Sequence, residues 1–183
     1  MIYHLSLQTG GFLAGLFLVL LGLPGLLKPD VVQGWAKRLP RSRVAGIVLL
    51  TLVLIWSFWL LATMEMGEFA SFRGPLLTVL PIGFVLVIFF VEEFLAVRAL
   101  GILCLLAAEP LLEAAFFRYE ASRLLITVFS YLLVVAGLFW VGMPYLLRDQ
   151  INWSMGSNTR WRTIHGVAII YGAIILAFAF AQY

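Results

Sequence analysis

Apolar runs of about twenty residues, separated by short polar stretches, make up nearly the whole chain. A bilayer core about 30 Å thick takes about 20 apolar residues per helical span. Six runs meet that measure, at about residues 7–27, 44–63, 75–91, 99–117, 124–147 and 163–182. The first opens TGGFLAGLFLVLLG, and residues 1–10 before it hold no lysine or arginine. A secretory leader has a basic start and a shorter apolar core, so this run reads as a transmembrane helix. Between the first two runs, the stretch VVQGWAKRL reads as a short amphipathic segment at the interface, with Trp35 at headgroup depth.

Residues 75–117 are harder to divide, because the apolar run is broken only by Glu92, Glu93, Arg98, Glu109 and Glu113. Either two helices meet in a tight hairpin at VEEFLAVR, or one long helix is followed by a half-buried or re-entrant one. Charge favours the hairpin. With six spans, nine of the twelve basic residues share one face: Lys28, Lys37, Arg38, Arg41, Arg43, Arg98, Arg148, Arg160 and Arg162. Arg73, Arg118 and Arg123 keep the other, whereas five spans give eight against four. Lysine and arginine mark the cytoplasmic side. The expectation is an all-α integral membrane protein of six spans, forming one transmembrane domain of three hairpins that turn on the cytoplasmic face. Both termini then lie outside the cytoplasm, in a bacterial inner membrane.

An internal repeat points the same way. AGLFLVLLGLPGLLKPD (residues 14–30) and AGLFWVGMPYLLRD (136–149) share AGLF, Val, Gly-x-Pro-x-Leu-Leu, a basic residue and an aspartate once two gaps are allowed. Both continue through a tryptophan (Trp35, Trp153) to Arg-x-Arg and a glycine (Gly46, Gly166). This suggests duplication of the first and last hairpins, although apolar alphabets also produce chance matches.

Composition excludes the soluble alternative. Hydrophobic residues are 63% of the chain, charged residues 11%, and mean hydropathy is +1.07, whereas soluble domains carry about 25% charged residues. The rarer residues exclude several activities. Lysine occurs only at Lys28 and Lys37, so no span carries a lysine for a retinal Schiff base. Histidine occurs only at His4 and His165, on opposite faces, which cannot clamp a haem. Cys104 stands alone in an apolar run, which rules out a disulfide framework and a cysteine metal site. No phosphate-loop, dinucleotide, metalloprotease or nucleophile-elbow pattern occurs. The net charge of +3 reads as loop arginines that set topology, with no nucleic-acid partner. No cofactor and no catalytic constellation are expected.

Candidate chemistry is sparse. Glu109 and Glu113 stand at i and i+4 on one helix face, with Pro110 between them. Counted from Arg98 at the surface, Glu109 lies about 16 Å deep at 1.5 Å per residue. There a carboxylate must face protein or water, which suggests a proton or cation site. In the competing reading the helix kinks at Pro110 and leaves both carboxylates at the outer interface. Glu92, Glu93 and Arg98 form a charged hairpin turn, structural or a docking knob. Asp30 and Asp149 shape the loops they begin. Glu65 and Glu68, beside Met64 and Met66, lack a third ligand for a metal and read as solvated loop charge. Arg160, Arg162 and His165 are a lipid-headgroup candidate, and Gly10, Gly11 and Gly15 allow close helix approach.

Two function classes follow. One is a non-catalytic subunit or assembly partner of a larger membrane complex, in contact with lipid and other membrane subunits. The other is a small transporter or channel using Glu109 and Glu113. The first is preferred, because only the fourth span offers mid-membrane polarity and no nucleophile, metal set or histidine–carboxylate pair assembles.

Overall fold

The computed structural model describes residues 3, 5–91, 94–116, 118–120 and 122–181. Among these the chain is helical throughout, with no strand. The helices are α1 (Leu7–Leu27), α2 (Pro29–Arg38), α3 (Arg43–Thr63), α4 (Arg73–Phe90), α5 (Leu95–Ala115), α6 (Arg123–Gly142), α7 (Tyr145–Met155) and α8 (Asn158–Ala181). Six of them are long and apolar enough to cross a membrane, the third counted together with the 3-10 turn Gly67–Phe72 that leads into α4.

Local chemistry sets the boundaries. Ser6 and Ser42 cap α1 and α3 by accepting from the backbone N–H of Thr9 and Ala45 at 3.1 Å. α1 stops at Leu27 because Lys28 precedes Pro29, and a residue before proline is pushed out of the helical region. Lys28 accordingly has φ −136° and ψ 66°. Met143, before Pro144, takes nearly the same shape, φ −129° and ψ 73°. This corrects the expected span 124–147: Pro144 ends α6 at Gly142, and Leu146 and Leu147 begin α7. The stretch 148–162, expected as a loop, contains most of that helix. Arg98 lies inside the first turn of α5, which starts at Leu95. The turn before it bends through Phe94, whose φ of 56° is left-handed, a conformation that costs an aromatic residue about 1–2 kcal/mol.

Packing is organised by close backbone approach. A Cβ at Gly15 would lie 2.8 Å from the carbonyl oxygen of Gly172, and one at Gly172 would lie 2.8 Å from that of Gly15. α5 and α6 repeat this reciprocity at Gly101 and Gly137, at 2.9 and 2.7 Å. Leu7, Ala14, Leu111, Ala115, Ile126, Phe129 and Ile175 fill the core between α1, α5, α6 and α8. α3 runs parallel to α5, with Gly46 against Leu95 and Ala96, and Leu50, Leu95 and Ala99 form a smaller core there. The expected hairpin partners are not the closely packed pairs. Extensive contact runs instead between α1 and α8, α5 and α6, and α3 and α5.

α4 differs from the rest. It leans on α3, with Phe84, Val87 and Ile88 against the smaller core, but none of its residues is buried.

Gly101→Ala places its methyl against backbone atoms that cannot swing away, the Gly137 oxygen at 2.9 Å and the Val141 nitrogen at 3.1 Å. It is expected to destabilise the fold by about 1–3 kcal/mol. Gly83→Ala meets nothing within 4 Å and is expected to leave stability unchanged or raise it by up to about 1 kcal/mol. Thermal unfolding of both variants in detergent checks the contrast, and equal midpoints would contradict this account of the packing.

Candidate functional site

Helix direction decides which residues can meet. The ends Leu27, Arg43, Leu95, Gly142 and Asn158 lie together, since Gly25 packs on His165, Gly46 on Leu95, and Gly101 on Val141. The residues expected on one basic face therefore share one end of the bundle. At the other end the N-terminal segment meets the ends of α3 and α5.

That meeting forms the candidate site. Tyr3 N–H donates to both carboxylate oxygens of Glu113, each at 3.3 Å. Trp56 Nε1–H donates to the Tyr3 hydroxyl at 2.7 Å, and the Tyr3 and Trp59 rings lie 5.5 Å apart at 46°. Glu109 and Glu113, both half-buried, line an open-sided groove of about 430 Å³ with Leu105, Ala108, Leu112, Phe116 and Val134. The two glutamates are four residues apart on one face of α5, as the spacing predicts. Glu113 is two residues and Glu109 six from the end of α5, so Glu109 sits about 9 Å below that end.

Burial raises the pKa of the Tyr3 phenol above its ordinary value. The hydrogen bond from Trp56 opposes that rise, while the negative charges of Glu109 and Glu113 add to it. The phenol therefore holds its proton, and its oxygen can accept from Trp56 while keeping one donor of its own.

The other candidates are placed as follows. Glu92 and Glu93 fall outside the described residues. The Nε of Arg98 is buried with no hydrogen-bond partner among the described residues. Asp149 pairs with Arg148 at 2.9 Å, both more than 40% exposed, and such a pair contributes under about 1 kcal/mol. The Arg148 guanidinium also lies 6.0 Å from the Phe94 ring centre. Asp30 is exposed in the first turn of α2, and Glu65 and Glu68 are exposed at the far end. No group of three or more histidine, cysteine or acidic side chains among the described residues could hold a metal ion. Arg160 stacks on Trp153, 4.9 Å from the ring centre, and Arg162 is exposed.

His165 separates from these arginines. It is 8% exposed, and its Nδ1–H donates to the Trp161 carbonyl at 2.9 Å. Its ring lies 4.2 Å from that of Trp161, whose Nε1–H donates to Gly25 O at 2.7 Å. A Cβ at Gly25 would overlap the imidazole at 1.8 Å. Trp161, by its hydrogen bond to Gly25, fastens the end of α1 to the start of α8, His165 packs on the same glycine, and only the two arginines reach outward.

Tyr3, Trp56 and Trp59 are not among the candidate residues that the sequence alone offers. Compared with protein-family models, curated proteins and solved structures, the chain matches none. Its class rests on the fold: an all-helical bundle with six helices able by length and composition to cross a membrane.

The raised Tyr3 pKa has a checkable sign. A phenol that holds its proton more tightly when folded stabilises the fold fully below its ordinary pKa, and that contribution is lost as pH rises through the folded value. Ultraviolet difference titration of wild type against Tyr3→Phe should show the missing phenol ionising later than a free tyrosine. A component at the ordinary value would contradict the half-buried placement.

Proposed function

We propose that this chain is a non-catalytic subunit or assembly partner of a larger membrane complex. The observation that carries the reading is α4, a helix of span length in which no residue is buried and whose principal neighbour is α3. Val79, Ile82, Val85 and Phe89 leave 47–69% of their surface open along it. An apolar cleft of about 290 Å³ between α3 and α4, lined by Ser57, Leu61, Val79 and others, adds a concave surface that a helix of another subunit can fill.

The outer-end cluster fits the same reading. Glu113 holds the Tyr3 backbone, so this carboxylate secures the N-terminal segment. The transporter reading is favoured by one observation, the open-sided groove that both carboxylates line. Against it, α5 carries no ionisable side chain between Arg98 and Glu109 except Cys104, so no chain of titratable groups leads along α5 to the basic end.

The three hairpins, the cytoplasmic basic face of an inner membrane and the duplication belong to the same proposal. The duplication is supported by the recurrence of a span, a break before proline and a short second helix at α1–α2 and at α6–α7. The prolines at the two breaks, Pro29 and Pro144, are not the pair that the Gly-x-Pro-x-Leu-Leu alignment matches, since Pro24 lies inside α1. If the copies share an ancestor, their first helices break at different places.

In mild detergent the protein is expected to purify with other membrane proteins, and a harsher detergent should strip them. Glu109→Gln with Glu113→Gln should impair assembly or stability more than any ion flux. If the double variant assembles normally in proteoliposomes yet loses a measurable transport current, the transporter reading replaces this one.

For topology, single cysteines placed in 28–43 and 148–162 in a Cys104→Ala background should resist an impermeant thiol reagent applied from the periplasmic side. Labelling of either stretch from that side would overturn the orientation.

A further inference from the structure

Two helices are too short to span, and neither enters the two core clusters, α7 burying only Leu147 and Ser154. α2 has ten residues and α7 eleven, and they touch each other at the basic end of the bundle. No residue of α2 is buried. Val31 and Trp35, one turn apart on it, are 66% and 69% exposed, and Arg38 continues that stripe at the next turn. Lys37, Arg38, Arg41 and Arg43 are all exposed around its end. On α7, Trp153 is 58% exposed and carries the Arg160 guanidinium against its ring.

A helix with an apolar, tryptophan-bearing stripe bracketed by basic residues fits the headgroup layer of a bilayer, with its indole at the acyl boundary and its cations among phosphates. Charge at this end is one-sided. Of the described carboxylates here, Asp149 is committed to Arg148, leaving Asp30. Even with Glu92 and Glu93, which the sequence adds to this end, carboxylates remain far fewer than the nine basic residues. At the opposite end Arg73 is occupied with the Met64 carbonyl and Arg123 is half-buried.

We propose that α2 and α7 form one ledge in the headgroup layer that gathers anionic phospholipids of the surrounding bilayer, with Lys37 and Arg38 of α2 and the adjoining Arg41 and Arg43 as the binding side chains. Trp35 and Trp153 set the depth of the ledge. This differs from the Arg160–Arg162–His165 candidate, because His165 is enclosed and Arg160 lies against Trp153. It holds whichever reading of the whole chain is correct.

The test uses the full-length protein in nanodiscs of equal parts phosphatidylcholine and phosphatidylglycerol. Lipids retained after extraction in mild detergent are counted by native mass spectrometry. Each basic residue near an anionic surface contributes about a five-fold preference, corresponding to about 1 kcal/mol. Retained phosphatidylglycerol should therefore exceed its bulk share several-fold, and Lys37→Gln/Arg38→Gln/Arg41→Gln/Arg43→Gln should bring it back to bulk. Arg118→Gln, at the other end, should leave the enrichment intact. If the quadruple variant does not fold, a high-salt wash of wild type supplies the same reading, since screening should remove the excess. A bulk ratio in wild type overturns the proposal. So does enrichment that survives in the folded quadruple variant or under high salt, or that is lost equally in Arg118→Gln. An acidic protein released by the quadruple variant with lipid ratios unchanged also overturns it, because the ledge would then dock protein.

Discussion

Backbone carbonyls of one helix lie where the Cβ of its neighbour would be, at Gly15–Gly172 and again at Gly101–Gly137. Between helices in lipid there is no hydrophobic driving force, since acyl chains are as apolar as leucine. Dispersion at short range has to hold such helices together, and it falls off within an ångström of gap. The two glycine contacts let α8 press on α1 and α6 press on α5, and the larger core side chains fill what remains. α5, in contact with α6, α3 and α1, is the element around which the bundle is arranged.

With its centre so closely packed, the molecule keeps its polar chemistry at its two ends. At one end a phenol, an indole and two carboxylates converge on a segment that precedes the first span. At the other, nine of the twelve basic residues gather on two short helices, the turns beside them and the adjoining starts of α3, α5 and α8. Between these ends buried Ser130 donates to Ile126 O at 2.8 Å within its own helix, and Tyr171 of α8 donates across to Leu125 O of α6 at 2.8 Å. Along α5, residues 99–108 are all apolar and separate Arg98 from Glu109 by about 16 Å of helix.

Much of this architecture is legible in residue order. Six apolar runs, the clustering of nine basic residues at one end, the shared face of Glu109 and Glu113 and the value of Gly15 for close approach can all be read from spacing. The break at Pro144 was legible too, but hydropathy counted through it, because Tyr145, Leu146 and Leu147 are as apolar as a span. Neighbour relations were not legible. Apolar helices look alike on every side, so nothing in α1 says that its partner is α8 and not α3. Without that order, Tyr3 could not be placed beside Glu113, a hundred and ten residues away, nor His165 against Gly25. Each site depended on which helices stand side by side.

The pairing of α1 with α8 has a consequence in time. Of the six spans described, α1 leaves the ribosome before the others and α8 after them, with the chain from Leu27 to Asn158 between the two. At about 5–20 residues per second of synthesis, the glycine-lined face of α1 waits on the order of ten seconds for its mate. During that interval Gly15, Gly22 and Gly25 lie open to lipid or to whatever insertion machinery holds the nascent chain. A ribosome that stalls before Asn158 leaves that face unmatched, so the contact closes only once α8 is delivered.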